Sequence, residues 1–239
     1  MRYAGILAGG VGARMGYDKP KQFLPIGGIP AIIRTVRTFL SSSFVDKLVV
    51  AIHPDWQEYF KDLLSKYGID ANEILLTTGG ETRFLSMCKL VERAIEDLGF
   101  NLSDDDYLLV HDCARVFVSK KIIEDNFALA LRYDMVTTSM PTIDTVILSD
   151  PSHQYELSVP DRDTVYLDQG PQTFRITDYQ RIRSTLSQEQ EKMYMEAGRM
   201  YREAGFNVGI VPGDRLNFKL TTPLDIEMAE FFIQKGIIK

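Results

Sequence analysis

The strongest constraint on this chain is a rhythm. Short runs that are apolar at nearly every position alternate with segments whose apolar residues recur at helical spacing. Tyr3–Leu7, Lys47–Ile52, Glu73–Thr77, Tyr107–His111 and Met135–Met140 are the strand-like runs. Between them the spacing predicts helices over Pro30–Leu40, where proline suits a first turn, over Asp55–Lys66, over Thr82–Leu98 with Gly99 as its stop, and from Ser119 as N-cap through Tyr133. A strand without alternation is buried on both faces, and strands that alternate with helices pair in parallel. The expectation is an α/β fold, Rossmann-like, with a mostly parallel sheet and helices on both faces.

The rhythm breaks after residue 141. Thr142–Leu148 reads as a further strand, but Ser149–Gln172 is polar, carries three prolines and shows no helical period. So long a plain loop is unusual inside a compact domain. We read residues of about 142–172 as a protruding β-arm that packs on a second subunit, which predicts a homodimer. Helices at Ile176–Leu186 and Gln188–Ala204, a strand at Val208–Val211 and a helix opened by Pro223 complete a single domain over residues 1–239.

Composition narrows the partners. A formal net charge of −6 lacks the basic footprint of a nucleic-acid-binding protein. The N-terminal apolar run enters glycines at once, too short for a signal peptide, and no window approaches the ~20 apolar residues of a membrane span. Cys88 and Cys113 match no metal-ligand spacing and read as reduced thiols. Together these predict a cytoplasmic protein with neither nucleic acid nor membrane as partner.

The chemistry begins where the first strand ends, in Leu7-Ala8-Gly9-Gly10-Val11-Gly12-Ala13-Arg14-Met15-Gly16, followed by Lys19-Pro20-Lys21-Gln22. Glycines there let backbone N–H groups approach a ligand closely. The dinucleotide fingerprint needs glycine where Met15 stands, and the P-loop ending Gly-Lys-Ser/Thr is absent. What remains is a glycine loop carrying its own cations, Arg14 and Lys21, suited to a triphosphate. A carboxylate, Asp112, ends the central strand-like run, the position at which open α/β sheets place ligand chemistry. His111 beside it reads as a structural histidine.

The run Ala8-Gly9-Gly10-x-Gly12-x-Arg14-Met15-Gly16 with Pro20-Lys21-Gln22 resembles the signature of the IspD/TarI-type cytidylyltransferases. Three further segments are similar to that family's motifs: Gly79-Gly80-Glu81-Thr82-Arg83-x-x-Ser86, His111-Asp112-Cys113-Ala114-Arg115, and Asn217-Phe218-Lys219-Leu220-Thr221-Thr222-Pro223-x-Asp225. The resemblance implies a Rossmann-like domain whose arm completes a dimer, CTP and a small polyol phosphate as substrates, and Mg²⁺ held by Asp112. It also implies roles. Arg14, Lys21 and Lys219 surround the phosphates as catalytic residues. Leu7, Ala8, Gly9, Gly10, Gly12, Gly80, Glu81, Arg83, Ser86, Asp112 and Cys113 bind the nucleotide, with Ser86 beside the base. Arg115, Asp144, Thr145 and Arg162 hold the acceptor, the arm residues reaching a neighbouring subunit.

One branch of that family makes CDP-ribitol for teichoic acids and capsules, the other CDP-methylerythritol for isoprenoids. Ala8-Gly9-Gly10, Ile143-Asp144-Thr145-Val146 and Thr221-Thr222-Pro223 favour the ribitol branch. The chain departs from the pattern in three places. Gly170 stands for threonine before Pro171-Gln172, Met195 where an aspartate is usual, and Val116 for proline. The first two sit where acceptor and arm meet, so methylerythritol phosphate or another alditol phosphate stays open as acceptor. A non-catalytic nucleotide-binding subunit is the remote alternative; the retained Arg14, Lys21, Asp112 and Lys219 oppose it.

Overall fold

The structure, a computed structural model, describes residues 1–10, 19–194 and 196–238. The chain opens with β1 (Arg2–Ala8). A small antiparallel pair, β2 (Pro25–Ile26) and β3 (Ile29–Pro30), follows, then α1 (Ala31–Leu40). Pro30 is thus the N-cap of α1 rather than its first residue. Next come β4 (Lys47–Ile52), α2 (Gln57–Lys66), β5 (Ile74–Thr78) and α3 (Arg83–Leu98), then β6 (Tyr107–Asp112), α4 (Lys120–Ala130) and β7 (Met135–Pro141). Ser119 caps α4, its hydroxyl accepting from the Ile122 N–H, although the helix stops at Ala130 rather than Tyr133.

The arm holds β8 (Leu148–Ser149) and β9 (Glu156–Ser158), an antiparallel pair, and the chain returns as β10 (Tyr166–Arg175). The strand expected over Thr142–Leu148 is therefore only a short rung at its end. Residues 166–172, read from sequence as arm, belong to β10 in the main sheet. Their polarity hid them: Tyr166, Leu167 and Asp168 are exposed, and the buried part starts at Gly170. Then come α5 (Ile176–Arg183), α6 (Gln188–Met193), α7 (Ala197–Glu203), β11 (Val208–Pro212) and α8 (Pro223–Gln234).

Seven strands form one sheet in the order β11-β7-β10-β6-β1-β4-β5. All neighbours are parallel except β10, which runs antiparallel to both β6 and β7. Register explains the unbroken apolar runs. In β4, Leu48, Val50 and Ile52 belong to the apolar cluster that includes α1, α2 and α4, while Val49 and Ala51 face the other way, into the cluster that includes α3, α5 and α7. Each face removes apolar surface from water at roughly 25 cal/mol per Å². A third cluster, with Ile26, Ala114, Leu220 and Ala229, ties β2 and α8 to the segment after β6.

Candidate active site

The parallel strands β5, β4, β1 and β6 all point their C-terminal ends at one cavity of about 490 Å³. Such a crevice beyond the carboxyl ends is where open α/β sheets bind ligands. Leu7, Ala8, Gly9 and Gly10 line it from β1, and Asp112 and Cys113 from β6, level with Leu7 in the sheet register. Gly80, Glu81, Arg83 and Ser86 come from the turn into α3, with Lys21 and Lys219 completing the wall. Four segments far apart in sequence thus meet as expected. Gly12 and Arg14 lie outside the described residues, as does Met195.

Asp112 is the electrostatic centre. Its Oδ1 accepts from Arg83 Nε at 2.9 Å and its Oδ2 from Lys219 Nζ at 2.6 Å. Burial alone would raise its pKa, but Arg83 and Lys219 outweigh burial and hold the carboxyl well below the usual range. Lys219 is carried not by a strand, as expected, but by an extended segment fixed where the Leu220 N–H donates to the Ala114 carbonyl. The Leu220 carbonyl in turn accepts from Lys21 Nζ at 2.9 Å, which brings the second lysine to the same wall.

The glycine turn before α3 is held by Ser86. Its buried hydroxyl accepts from the Gly80 N–H at 3.0 Å and lies 2.9 Å from the Thr82 carbonyl. Thr82 caps α3, accepting from the Leu85 N–H. A methyl group at position 80 would collide with the backbone of Leu85 and Ser86, at 2.7 and 2.9 Å. Ser86 therefore shapes the wall as well as lining it.

Several residues were not singled out from sequence. Gln22, almost fully buried, donates from its amide to the carbonyls of Ala8 at 2.7 Å and Gly10 at 3.0 Å, clamping the entry of the glycine loop. Its place directly after Lys21 was the available signal. Thr82 and His53 also line the cavity. Cys113 is buried, its thiol pushed up to about 12 by desolvation, so it packs rather than reacts. His111 is fully buried against Phe39, its Nε2 facing the Arg115 carbonyl at 3.0 Å. That contact requires a proton on Nε2 and leaves Nδ1 an acceptor without a hydrogen-bond partner among the described residues. The histidine is structural.

Of the residues expected at the acceptor, Arg115 follows the cavity-lining Ala114 but is not itself part of the lining. Its Nη1 donates to the Asn217 carbonyl at 2.7 Å, and Nη2 lies 3.5 Å from the Asp168 carbonyl. Asp144, Thr145 and Arg162 are exposed on the arm, outside the cavity of their own chain.

For a divalent cation the donor set is lean. Among the described residues no three His, Cys, Asp or Glu side chains cluster as metal ligands. Asp112 and the exposed Glu81 are the carboxylates lining the cavity. A cage-bound ion does not fit; Mg²⁺, which takes one or two carboxylates and completes its shell with phosphate oxygens and water, does.

A cation-rimmed crevice that keeps one carboxylate ionised between a lysine and an arginine, beside a glycine turn, defines a nucleotidyltransferase of the α/β type. A family model described as 2-C-methyl-D-erythritol 4-phosphate cytidylyltransferase (IspD) matches residues 3–235. The chain belongs to this family of cytidylyltransferases. It is 36% identical over 237 residues to a ribitol-5-phosphate cytidylyltransferase of Streptococcus pneumoniae strain CGSP14, covering 98% of this chain and 100% of that one. It is also similar to the structure of the 4-diphosphocytidyl-2C-methyl-D-erythritol synthase from Anaerococcus prevotii, with a TM-score of 0.77, 26% identity and coverage of 98% and 96% of the two chains. The Francisella tularensis 2-C-methyl-D-erythritol 4-phosphate cytidylyltransferase shares the fold, with a TM-score of 0.77 at 24% identity over 96% and 98%. No helix among the described residues is long and apolar enough to cross a membrane.

Proposed function

We propose that the chain joins the cytidylyl group of CTP to D-ribitol 5-phosphate, giving CDP-ribitol and pyrophosphate. The observation that carries the choice of acceptor is the full-length likeness, at 36% identity, to relatives named for that substrate.

In this reading an anionic oxygen of the acceptor phosphate attacks the α-phosphorus of CTP in line, and pyrophosphate leaves. The nucleophile is already ionised, so no general base is required. The barrier lies in bringing anions together and in the charge that grows on phosphorus, which positioned cations lower. Lys21 and Lys219 stand on one wall of the cavity to meet those oxygens, with Arg14 assigned beside them by its motif alone. Arg83 and Lys219 keep Asp112 ionised, and Gln22, Ser86 and Gly80 fix the backbone that faces the nucleotide. A Mg²⁺ ion held by Asp112 would supply charge neutralisation between the phosphates. Arg115 and, from the partner's arm, the positions equivalent to Asp144, Thr145 and Arg162 would receive the acceptor in a homodimer.

Pyrophosphate release from CTP with Mg²⁺, measured against D-ribitol 5-phosphate, methylerythritol 4-phosphate and no acceptor, tests this. Release with ribitol phosphate alone supports it. Release with methylerythritol phosphate alone moves the enzyme to isoprenoid precursors, a reading favoured by the family description over residues 3–235. CTP binding without release under any condition would reduce the chain to a nucleotide-binding subunit.

A further inference from the structure

Lys21, Gln22 and Phe23 form a single 3₁₀ turn, in which successive side chains point about 120° apart. Three neighbours therefore serve three directions. Phe23 is buried against Trp56 and Tyr59, with ring centroids 5.1 Å away in each case, and anchors the turn in the core. Lys21 reaches across to the Leu220 carbonyl, next to Lys219. Gln22 points at the end of β1, where its amide nitrogen donates to the Ala8 carbonyl at 2.7 Å and the Gly10 carbonyl at 3.0 Å. Only 3% of Gln22 is accessible, so the amide is confined to the place where those two oxygens meet it.

The planarity of the peptide converts that grip into a direction. In a trans peptide the C=O and the following N–H point to opposite sides, so fixing the Ala8 carbonyl on Gln22 turns the Gly9 N–H away from Gln22. Gly9 and Gly10 both line the cavity, and neither N–H has a backbone partner among the described residues. The acceptors at this end of β1 are thus spent inside the protein, and its donors are left for a ligand. Adjacent backbone N–H groups attract anions, and Lys21 adds a full positive charge to the same cavity wall. Phosphate oxygens only accept hydrogen bonds, which matches this set of donors, whereas a cytosine ring presents donors and acceptors together.

We propose that Gln22 is a positioning residue for the triphosphate of CTP: by holding the Ala8 and Gly10 carbonyls, it aims the N–H groups at the end of β1 toward the phosphate oxygens. The inference rests on the cytidylyl-transfer reading above for the identity of the nucleotide and adds a residue to it. Because Lys21 and Gln22 share one turn anchored by Phe23, the lysine charge and the backbone donors keep a fixed spacing. Gln22 acts on the phosphates only through the backbone it holds.

The test is titration of CTP, inorganic triphosphate and cytidine into the protein without any acceptor. Gln22→Met, which keeps the length of the side chain and removes the donor, is expected to raise the Kd for CTP about tenfold or more. Inorganic triphosphate should weaken with CTP, while the Kd for cytidine stays unchanged, a split that a merely structural role would not produce. In wild-type protein labelled with ¹⁵N, the Gly9 and Gly10 amide signals should move with CTP and with inorganic triphosphate and stay in place with cytidine. An unchanged CTP Kd in folded Gln22→Met, cytidine weakened as much as CTP, or wild-type protein that binds no CTP would each overturn the inference. Amide signals indifferent to triphosphate would overturn it even if Gln22→Met does not fold. If CTP binding depends on Gln22 but no acceptor supports pyrophosphate release, the inference stands and the activity reading fails instead.

Discussion

Gly9 and Gly79 lie back to back: a methyl group on Gly79 would stand 2.9 Å from the Cα of Gly9, and one on Gly9 would stand 3.1 Å from the Cα of Gly79. The ends of β1 and β5 approach this closely because neither residue has a side chain, and Gly9 is itself part of the cavity wall.

Gly79→Ala should therefore damage nucleotide binding more than it damages the fold. Overpacking of this kind costs about 1–3 kcal/mol where the neighbour is backbone that cannot rotate away. We expect the KM for CTP to rise at least tenfold while far-UV dichroism and cooperative unfolding persist. A variant with wild-type KM would show that the contact does not shape the site.

Lys219 and Arg83 divide the two oxygens of Asp112, yet only Lys219 belongs to the phosphate wall in our reading. Lys219→Ala should lower kcat by roughly a hundredfold or more, the scale of losing one electrostatic group at a transition state. Arg83→Lys should cost less, since a cation still reaches Oδ1. Single-turnover measurements separate the two. A double alanine variant at Lys21 and Lys219 that slows turnover only a few-fold would sink the assignment of both lysines.

His111 gives the fold a pH dependence. Burial holds its folded pKa down to about 4, against 6.5 for a histidine in water, while Asp112 pulls the other way and the Arg115 and Arg83 charges add to the depression. Between those values the unfolded chain binds the proton and the folded chain does not, so stability rises with pH across the window. It falls as the pH drops from 6.5 toward 4, by on the order of 3 kcal/mol in total. His111→Gln, which can still donate to the Arg115 carbonyl, should flatten this slope in urea midpoints measured at pH 7 and 4.5. Equal slopes in the two proteins would remove His111 as the cause.

The arm, built around a two-stranded hairpin, exposes Ile143 ahead of it and Tyr155 and Leu157 within it, each more than 60% accessible. A lone hairpin is marginal in water unless it packs on something. We expect a dimer at micromolar concentration in sedimentation experiments and a monomer for Tyr155→Asp/Leu157→Asp. Wild-type protein that sediments as a monomer would disprove the paired arm.

Much of this was legible in the chain. β4 is bounded as its β-branched run implies, and the Ser119 and Thr82 caps mark the starts of α4 and α3, because cap chemistry and full burial are local properties. The cation and carboxylate of the site were legible too, since Lys21, Arg83, Asp112 and Lys219 each sit in a recognisable motif. The return strand was not. β10 is exposed and polar for its first three residues and then pairs with two strands distant in sequence, so nothing local marks it.

The arm's two ends are held together by the sheet itself. Pro141 pairs with Tyr166, and the Thr142 N–H donates to the Val165 carbonyl at 3.1 Å. Topologically, then, everything between is a long detour inside an ordinary hairpin. It can be cut out and replaced by a tight turn without moving a rung of the ladder. A chain shortened this way would keep the crevice beyond the ends of β1, β4, β5 and β6, which the arm does not line. Evolution could accordingly lengthen, reshape or retarget that detour while leaving the nucleotide-binding half untouched.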